Sequence, residues 1–322
     1  MPSRVFPATA QAIRATAVIK PLRLGTRASP LALAQAHQVA AALCRAHGWN
    51  EDAIAIVSMR TSGDLIQDRA LAEVGGKALW TKELDRALFD GAIDFAVHSM
   101  KDVETFRPAE IMIAAMLPRA DVRDRLIGAD SIDAIRRGGR LGTSSPRRGA
   151  QIRHLRPDLE VVLFRGNVAT RLRKLSEGKA DATLLAAAGL NRLGQGDTGV
   201  AIPVETMLPA PAQGAIGIET LSTRDDVRSL IAAIDDLATS SCVHAERALL
   251  AGLLADCRSP VAALAQRESD GIRLRAEILR PDGSEIVEGE KFLQADARGE
   301  AASLAQDLLV RASPSLKALF GG

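Results

Sequence analysis

Two arginines, Arg147 and Arg148, directly follow the string Gly142-Thr143-Ser144-Ser145-Pro146. Ser before Pro is the signature of a helix start, with Ser145 as N-cap and Pro146 at the first helical position. Both guanidinium groups then fall in the first turn, where cations oppose the positive end of the helix dipole at about 0.3–1 kcal/mol each. An anion is expected nearby to offset that cost. Thr143, Ser144 and Ser145 add hydroxyl donors at the same place. Further arginines sit at predicted loops and helix starts: Arg27 before Ala28-Ser29-Pro30, Arg165 and Arg171 around Gly166, and Arg192 after Gly189-Leu190-Asn191. Arg outnumbers Lys about four to one. A planar guanidinium fork grips carboxylate or phosphate with paired hydrogen bonds, each worth about 1.5–3 kcal/mol. Such a set suits a small ligand carrying several carboxylates.

Two more strings carry reactive groups. His98-Ser99-Met100-Lys101-Asp102-Val103 follows the apolar run Phe95-Ala96-Val97. Open α/β sheets bind ligands beyond the carboxyl ends of their strands, so Ser99, Lys101 and Asp102 form a candidate site. Cys257 lies in Ala255-Asp256-Cys257-Arg258-Ser259-Pro260. Arg258 favours its thiolate and Asp256 opposes it, so the residues alone leave both a reactive and an inert thiol open. Cys44 fits an apolar helical pattern, and Cys242 gains no role. The three cysteines have no metal-binding spacing, and no metal is expected. Nucleotide loops are also missing: Gly75-Gly76-Lys77 has the frame of neither phosphate-binding motif. Nucleic acid is disfavoured by a net charge of +2, 3% aromatics and no Tyr, which leaves few stacking platforms. No apolar run reaches the roughly 18 residues of a membrane span.

The elements that must position these groups come in two echoing sets. Leu24-Gly25-Thr26-Arg27-Ala28-Ser29-Pro30 recurs as Leu141-Gly142-Thr143-Ser144-Ser145-Pro146. Leu88 to Val97 recurs as Leu175 to Leu185, each reading as helix, Gly stop and buried strand. The order of the two echoes is the same in both halves. This predicts two α/β domains with largely parallel sheets, facing each other across a cleft at which both capped helix starts aim. The first helix should run from Pro30 to about Ala46, with Gly48 as its stop. From about Leu237 the pattern changes. A helix over Ser241–Leu254, strands over Val261–Gln266, Ile272–Leu279 and Ser284–Phe292, and a helix over Ala301–Val310 predict a small α+β domain.

Taken together these strings resemble the porphobilinogen deaminase family, from about Leu22 to the C-terminus. The match includes Arg27 to Leu33, Val74-Gly75-Gly76-Lys77, His98 to Val103, Gly142 to Arg148, Arg165 to Arg171, Ala187-Ala188-Gly189-Leu190 and Gln213-Gly214-Ala215. The resemblance implies two α/β domains like those of two-lobed periplasmic binding proteins, with a small C-terminal α+β domain. The divisions are a flexible extension over 1–19, a first domain over 20–118 and 213–234, a second over 119–212 and a third over 235–322. It implies a cytoplasmic, monomeric transferase that joins four porphobilinogen molecules, losing ammonia at each addition, and releases hydroxymethylbilane with water. The small-molecule substrate is its only implied partner, with neither nucleic acid nor membrane. The primer implied is a dipyrromethane in thioether linkage to Cys257. Asp102 is the implied acid/base, stabilising the positive charge formed as the amine leaves. Cys257, Ser99, Lys101, Asp102, Thr143, Ser145, Arg147 and Arg148 would hold the cofactor. Arg27, Ser29, Arg165, Arg171, Arg192 and Gln213 would hold substrate. Arg60 to Gly76 resembles a lid. Asp256, Glu104, Trp80 and Ala212 depart from the residues usual in the family. Two rival readings remain on the residues alone: a non-catalytic two-lobed anion binder and a basic nucleic-acid binder.

Overall fold

The structure is a computed structural model and describes residues 21–60, 81–294 and 297–320. The expected N-terminal extension, residues 61–76 of the expected lid, and Trp80 lie outside the described residues.

The first half runs β1 (Leu22–Arg27), α1 (Pro30–His47), β2 (Ile54–Met59), α2 (Lys82–Phe89), β3 (Phe95–Ser99) and β4 (Ile111–Met116). The second runs β5 (Asp124–Ile127), β6 (Arg140–Thr143), α3 (Pro146–Leu155), β7 (Glu160–Leu163), α4 (Val168–Ser176), β8 (Ala182–Ala186), α5 (Ala187–Arg192) and β9 (Val200–Ala201). The chain then returns through β10 (Ile216–Leu221) and α6 (Asp225–Ile231). The tail holds α7 (Leu237–Gly252), β11 (Val261–Glu268), β12 (Gly271–Leu279), β13 (Ile286–Leu293), α8 (Ala297–Arg311) and α9 (Pro314–Lys317).

The two halves share one topology. One five-stranded sheet has the order β2-β1-β3-β10-β4 and the other β7-β6-β8-β5-β9. In each, the first strand of the repeat pairs in parallel with its two neighbours, and an antiparallel strand follows. The sheets are therefore mixed, not largely parallel. The strands that complete them, β10 and β5, enter from outside the strand–helix repeat, so the repeat could not reveal their direction. The third sheet is an antiparallel meander, β11-β12-β13, covered by α7 and α8.

Local chemistry explains the repeated elements. The hydroxyl oxygens of Ser29 and Ser145 accept hydrogen bonds from the backbone N–H groups of Ala32 and Arg148, capping α1 and α3 as their Ser-Pro pairs require. Ala32, Ala36, Val39 and Leu43 make the buried stripe of α1, which packs on Leu24, Phe95 and Ile218. Leu126, Leu141, Ile152 and Leu184 fill the corresponding place in the second half. Gly91 and Gly178 end the paired helical stretches with φ of 62° and 69°, a region that suits a residue without Cβ.

Candidate active site

Both capped helix starts border one cavity of about 770 Å³. Arg27 and Ser29 come from the β1–α1 loop, Lys101 and Asp102 from the turn after β3, and Ser145, Arg147 and Arg148 from the start of α3. Arg165 and Arg171 flank the start of α4, Gln213 lies on the chain returning to the first sheet, and Cys257 on the loop after α7. Three structural units, distant in sequence, thus meet at one wall. Ser99 lines a small adjoining pocket with Arg27, Ser29 and Asp102, and its hydroxyl is paired with Gln35 at 2.8 Å. Thr143 is 4% exposed, and its hydroxyl receives the Ser145 N–H. Arg192 lies off the cavity wall and donates to the Gly214 carbonyl at 2.7 Å.

The anion expected at the start of α3 belongs to the chain itself. Asp124, buried on β5, receives Arg147 Nη2 at 2.8 Å, and Arg148 Nη2 and Nε at 2.6 and 3.2 Å. Burial alone would push this carboxyl up; the two guanidinium groups outweigh burial and hold it well below the usual carboxylate range. One carboxylate against two cations leaves a positive charge at the cavity wall. Arg147 spends its other donors on Gln151 and the Leu208 carbonyl, yet its buried Nε finds no hydrogen-bond partner among the described residues. Asp124 carried no signal in the sequence, since its neighbours alternate in charge as a surface strand would.

Gln213, expected to hold substrate, borders the cavity and also bonds to the chain around it. It is fully buried; its amide donates to Asp124 and the Val122 carbonyl, and its oxygen accepts from Lys101 Nζ at 3.2 Å. All its groups point to neighbours, so it fixes Lys101 and Asp124 relative to each other. Desolvation, with Arg148 and Arg147 nearby, brings Lys101 down to about 8 despite Asp102 and Asp124. Desolvation likewise brings Arg171 down to about 10, Arg148 adding to the effect. Among the described residues, more cations than carboxylates line the cavity.

Cys257 is accessible within the cavity, yet protein surrounds it. Desolvation, then Asp102 and Asp256, push its thiol up to about 12 against the pull of Arg258. Asp256 turns its carboxylate to Arg258 at 2.6 Å, which answers one departure from the family pattern. Glu104, another, accepts from Thr81 and Arg107. Ala212 takes the left-handed φ of 62°, where Gly is usual.

Family models match nearly the whole described chain. Residues 22–229 match the porphobilinogen deaminase dipyromethane cofactor binding domain, and residues 240–310 the porphobilinogen deaminase C-terminal domain. The chain belongs to the porphobilinogen deaminase family. The porphobilinogen deaminase of Sphingopyxis alaskensis is 59% identical over 93% of this chain and 96% of its own. That of Paracoccus denitrificans is 48% identical over 91% and 95%. The chloroplastic porphobilinogen deaminase of rice is 47% identical over 88% and 81%. As a porphobilinogen deaminase, the protein is a transferase of tetrapyrrole synthesis with a dipyrromethane cofactor-binding domain that takes in both five-stranded sheets. The residues present fit that group. The cavity volume lies within the roughly 300–1,000 Å³ that encloses a small organic ligand, a thiol opens onto it, and its surplus cations suit pyrrole carboxylates.

Proposed function

We propose that the protein joins four porphobilinogen molecules head to tail, releasing ammonia at each addition, onto a dipyrromethane in thioether linkage to Cys257, and frees hydroxymethylbilane with water. The observation that supports this most is the shared wall: Cys257, Asp102 and the cations of both α/β halves border one cavity. The dipyrromethane supplies a nucleophilic pyrrole carbon at its free end. Lys101, Ser145, Arg147 and Arg148 hold its acidic side chains. Arg27, Ser29, Arg165 and Arg171 receive the carboxylates of incoming substrate.

Asp102 does the chemistry. Its carboxylate accepts pyrrole N–H groups and faces the positive charge that develops on the substrate as ammonia departs. At about 4 Å and an effective dielectric of about 20, such a pair interacts by about 4 kcal/mol. Gln213 and Thr143 serve by orienting Lys101 and Ser145. Ser99 acts through Gln35, and Arg192 through the Gly214 carbonyl. The same reading divides the chain into domains over 20–118 with 213–234, 119–212 and 235–322, and makes it a cytoplasmic monomer.

Intact-mass measurement is the test. The purified protein should exceed the mass of its sequence by one dipyrromethane, and Cys257→Ser should sit at the bare mass. Asp102→Asn should keep the added mass and lose about 10²–10⁴-fold in turnover. A native chain at bare mass, or an Asp102→Asn variant with undiminished turnover, refutes the assignment.

A further inference from the structure

The Asp102 turn and the Cys257 loop are distant in sequence and are joined directly in the fold, through Thr105 and Ala255, 150 residues apart. The hydroxyl of Thr105, three residues after Asp102, donates to the carbonyl of Ala255, two residues before Cys257, at 2.7 Å. A second tie reaches the same segment from α7. Arg247 donates to the carbonyls of Val103, Glu104 and Thr105 at 3.3, 2.7 and 3.2 Å. Arg247 is 8% exposed, and its guanidinium is spent on three consecutive backbone oxygens. A fork can span them; the point charge of Lys cannot.

Both ends of this connection are stiff. On the Asp102 side, Glu104 is anchored by Arg107, which in turn grips Glu219 of β10 and Asp85 of α2. On the Cys257 side, the Ala255 N–H donates to Leu250. Asp256 and Ser259 exchange hydrogen bonds across the loop. Two residues of chain reach at most about 7 Å and three about 11 Å, so little slack separates the bond from either reacting group.

We propose that Thr105 and Arg247 are positioning residues that hold the Cys257 loop at a set offset from the Asp102 carboxylate. This rests on the roles of Cys257 and Asp102 given above. A tether fixed to the carboxylate in this way leaves the growing chain, and not its anchor, to rearrange between additions. Thr105 and Arg247 also border the cavity, so the effect of each on the offset is read in kcat and loop exchange, and any contact with substrate in KM.

The test compares holoenzymes of wild type, Thr105→Val and Thr105→Ser by three measurements: intact mass, amide hydrogen exchange over residues 253–260, and steady-state kinetics. Thr105→Val should retain the cofactor mass, exchange about fivefold faster over 253–260, and lose about fivefold in kcat with KM within twofold. Its covalent intermediates should spread over more chain lengths. Thr105→Ser, which keeps the hydroxyl, should restore all of these. Wild-type exchange and kcat in Thr105→Val, a change confined to KM, or a Ser variant as impaired as the Val variant overturns the inference while leaving the cofactor assignment standing. A wild-type chain at bare mass overturns both.

Discussion

Lys101 offers the clearest measurement of what the cation-rich cavity costs the protein before its cofactor arrives. Its ammonium falls from an ordinary 10.5 to about 8, chiefly by desolvation and then by Arg148. Between about pH 8 and pH 10.5 the folded state therefore binds fewer protons at this site than the unfolded chain, and stability rises with pH across that window. Below it, the charged ammonium disfavours folding by up to about 3 kcal/mol. Lys101→Met in a Cys257→Ser background removes that charge from the apoprotein. It also removes the hydrogen bond to Gln213, worth about 1 kcal/mol, and cavity water screens part of the charge. The expected net gain near pH 7 is about 2 kcal/mol, shrinking by more than half near pH 9.5. Guanidinium unfolding followed by circular dichroism reads both values. In the cofactor-loaded protein the sign should reverse, because a carboxylate then partners the ammonium. An apoprotein variant no more stable than its parent, or a gain indifferent to pH, refutes the reasoning.

Asp124→Asn leaves Arg147 and Arg148 buried without their counter-charge, and should cost about 3–5 kcal/mol in denaturant unfolding near neutral pH. The stability that Asp124 contributes is full above the ordinary carboxylate range and is lost only as pH falls toward its depressed value. Gly217→Ala places a Cβ against the Met100 side chain, just ahead of Lys101 and Asp102. Overpacking there should cost about 1–3 kcal/mol and lower kcat more than it raises KM. In apoprotein with its native cysteine, the Cys257 thiol should alkylate more slowly than a free cysteine at pH 8 despite its access to the cavity, with the rate climbing as pH approaches about 12.

Much of this was legible because particular residues leave short-range marks. Ser29-Pro30 and Ser145-Pro146 announced their helices, and α1 ends one residue past the expected Ala46, at His47. The turn before β13 formed as read, with Gly283 N–H bonded to the Arg280 carbonyl. The tail helices were placed within about four residues of their starts, as periodicity allows. What stayed hidden was long-range. The direction of β10 depends on where the chain has been, not on its own residues. The anion expected beside Arg147 and Arg148 could not be named because Asp124 lies 23 and 24 residues away, on a strand. Gln213 gave no sign of its bonds to Lys101 and Asp124, because these lie 112 and 89 residues away in the chain. Thr105 and Arg247 carried no mark at all, since backbone carbonyls accept them.

The placement of β10 has a consequence for how the chain matures. Among the described residues, β4 joins its sheet only through β10, and about 100 residues separate the end of one from the start of the other. During synthesis the second half holds all its own strands and can close its core while the first still waits with a central gap. Until Ile216–Leu221 emerge, β3 and β4 each keep an unpaired edge, the kind of surface that invites wrong pairing between nascent chains. The same late strand brings Glu219 to Arg107 and supplies the last wall behind the Asp102 turn. The first half can therefore complete its sheet only once the strands of its neighbour are all in the chain.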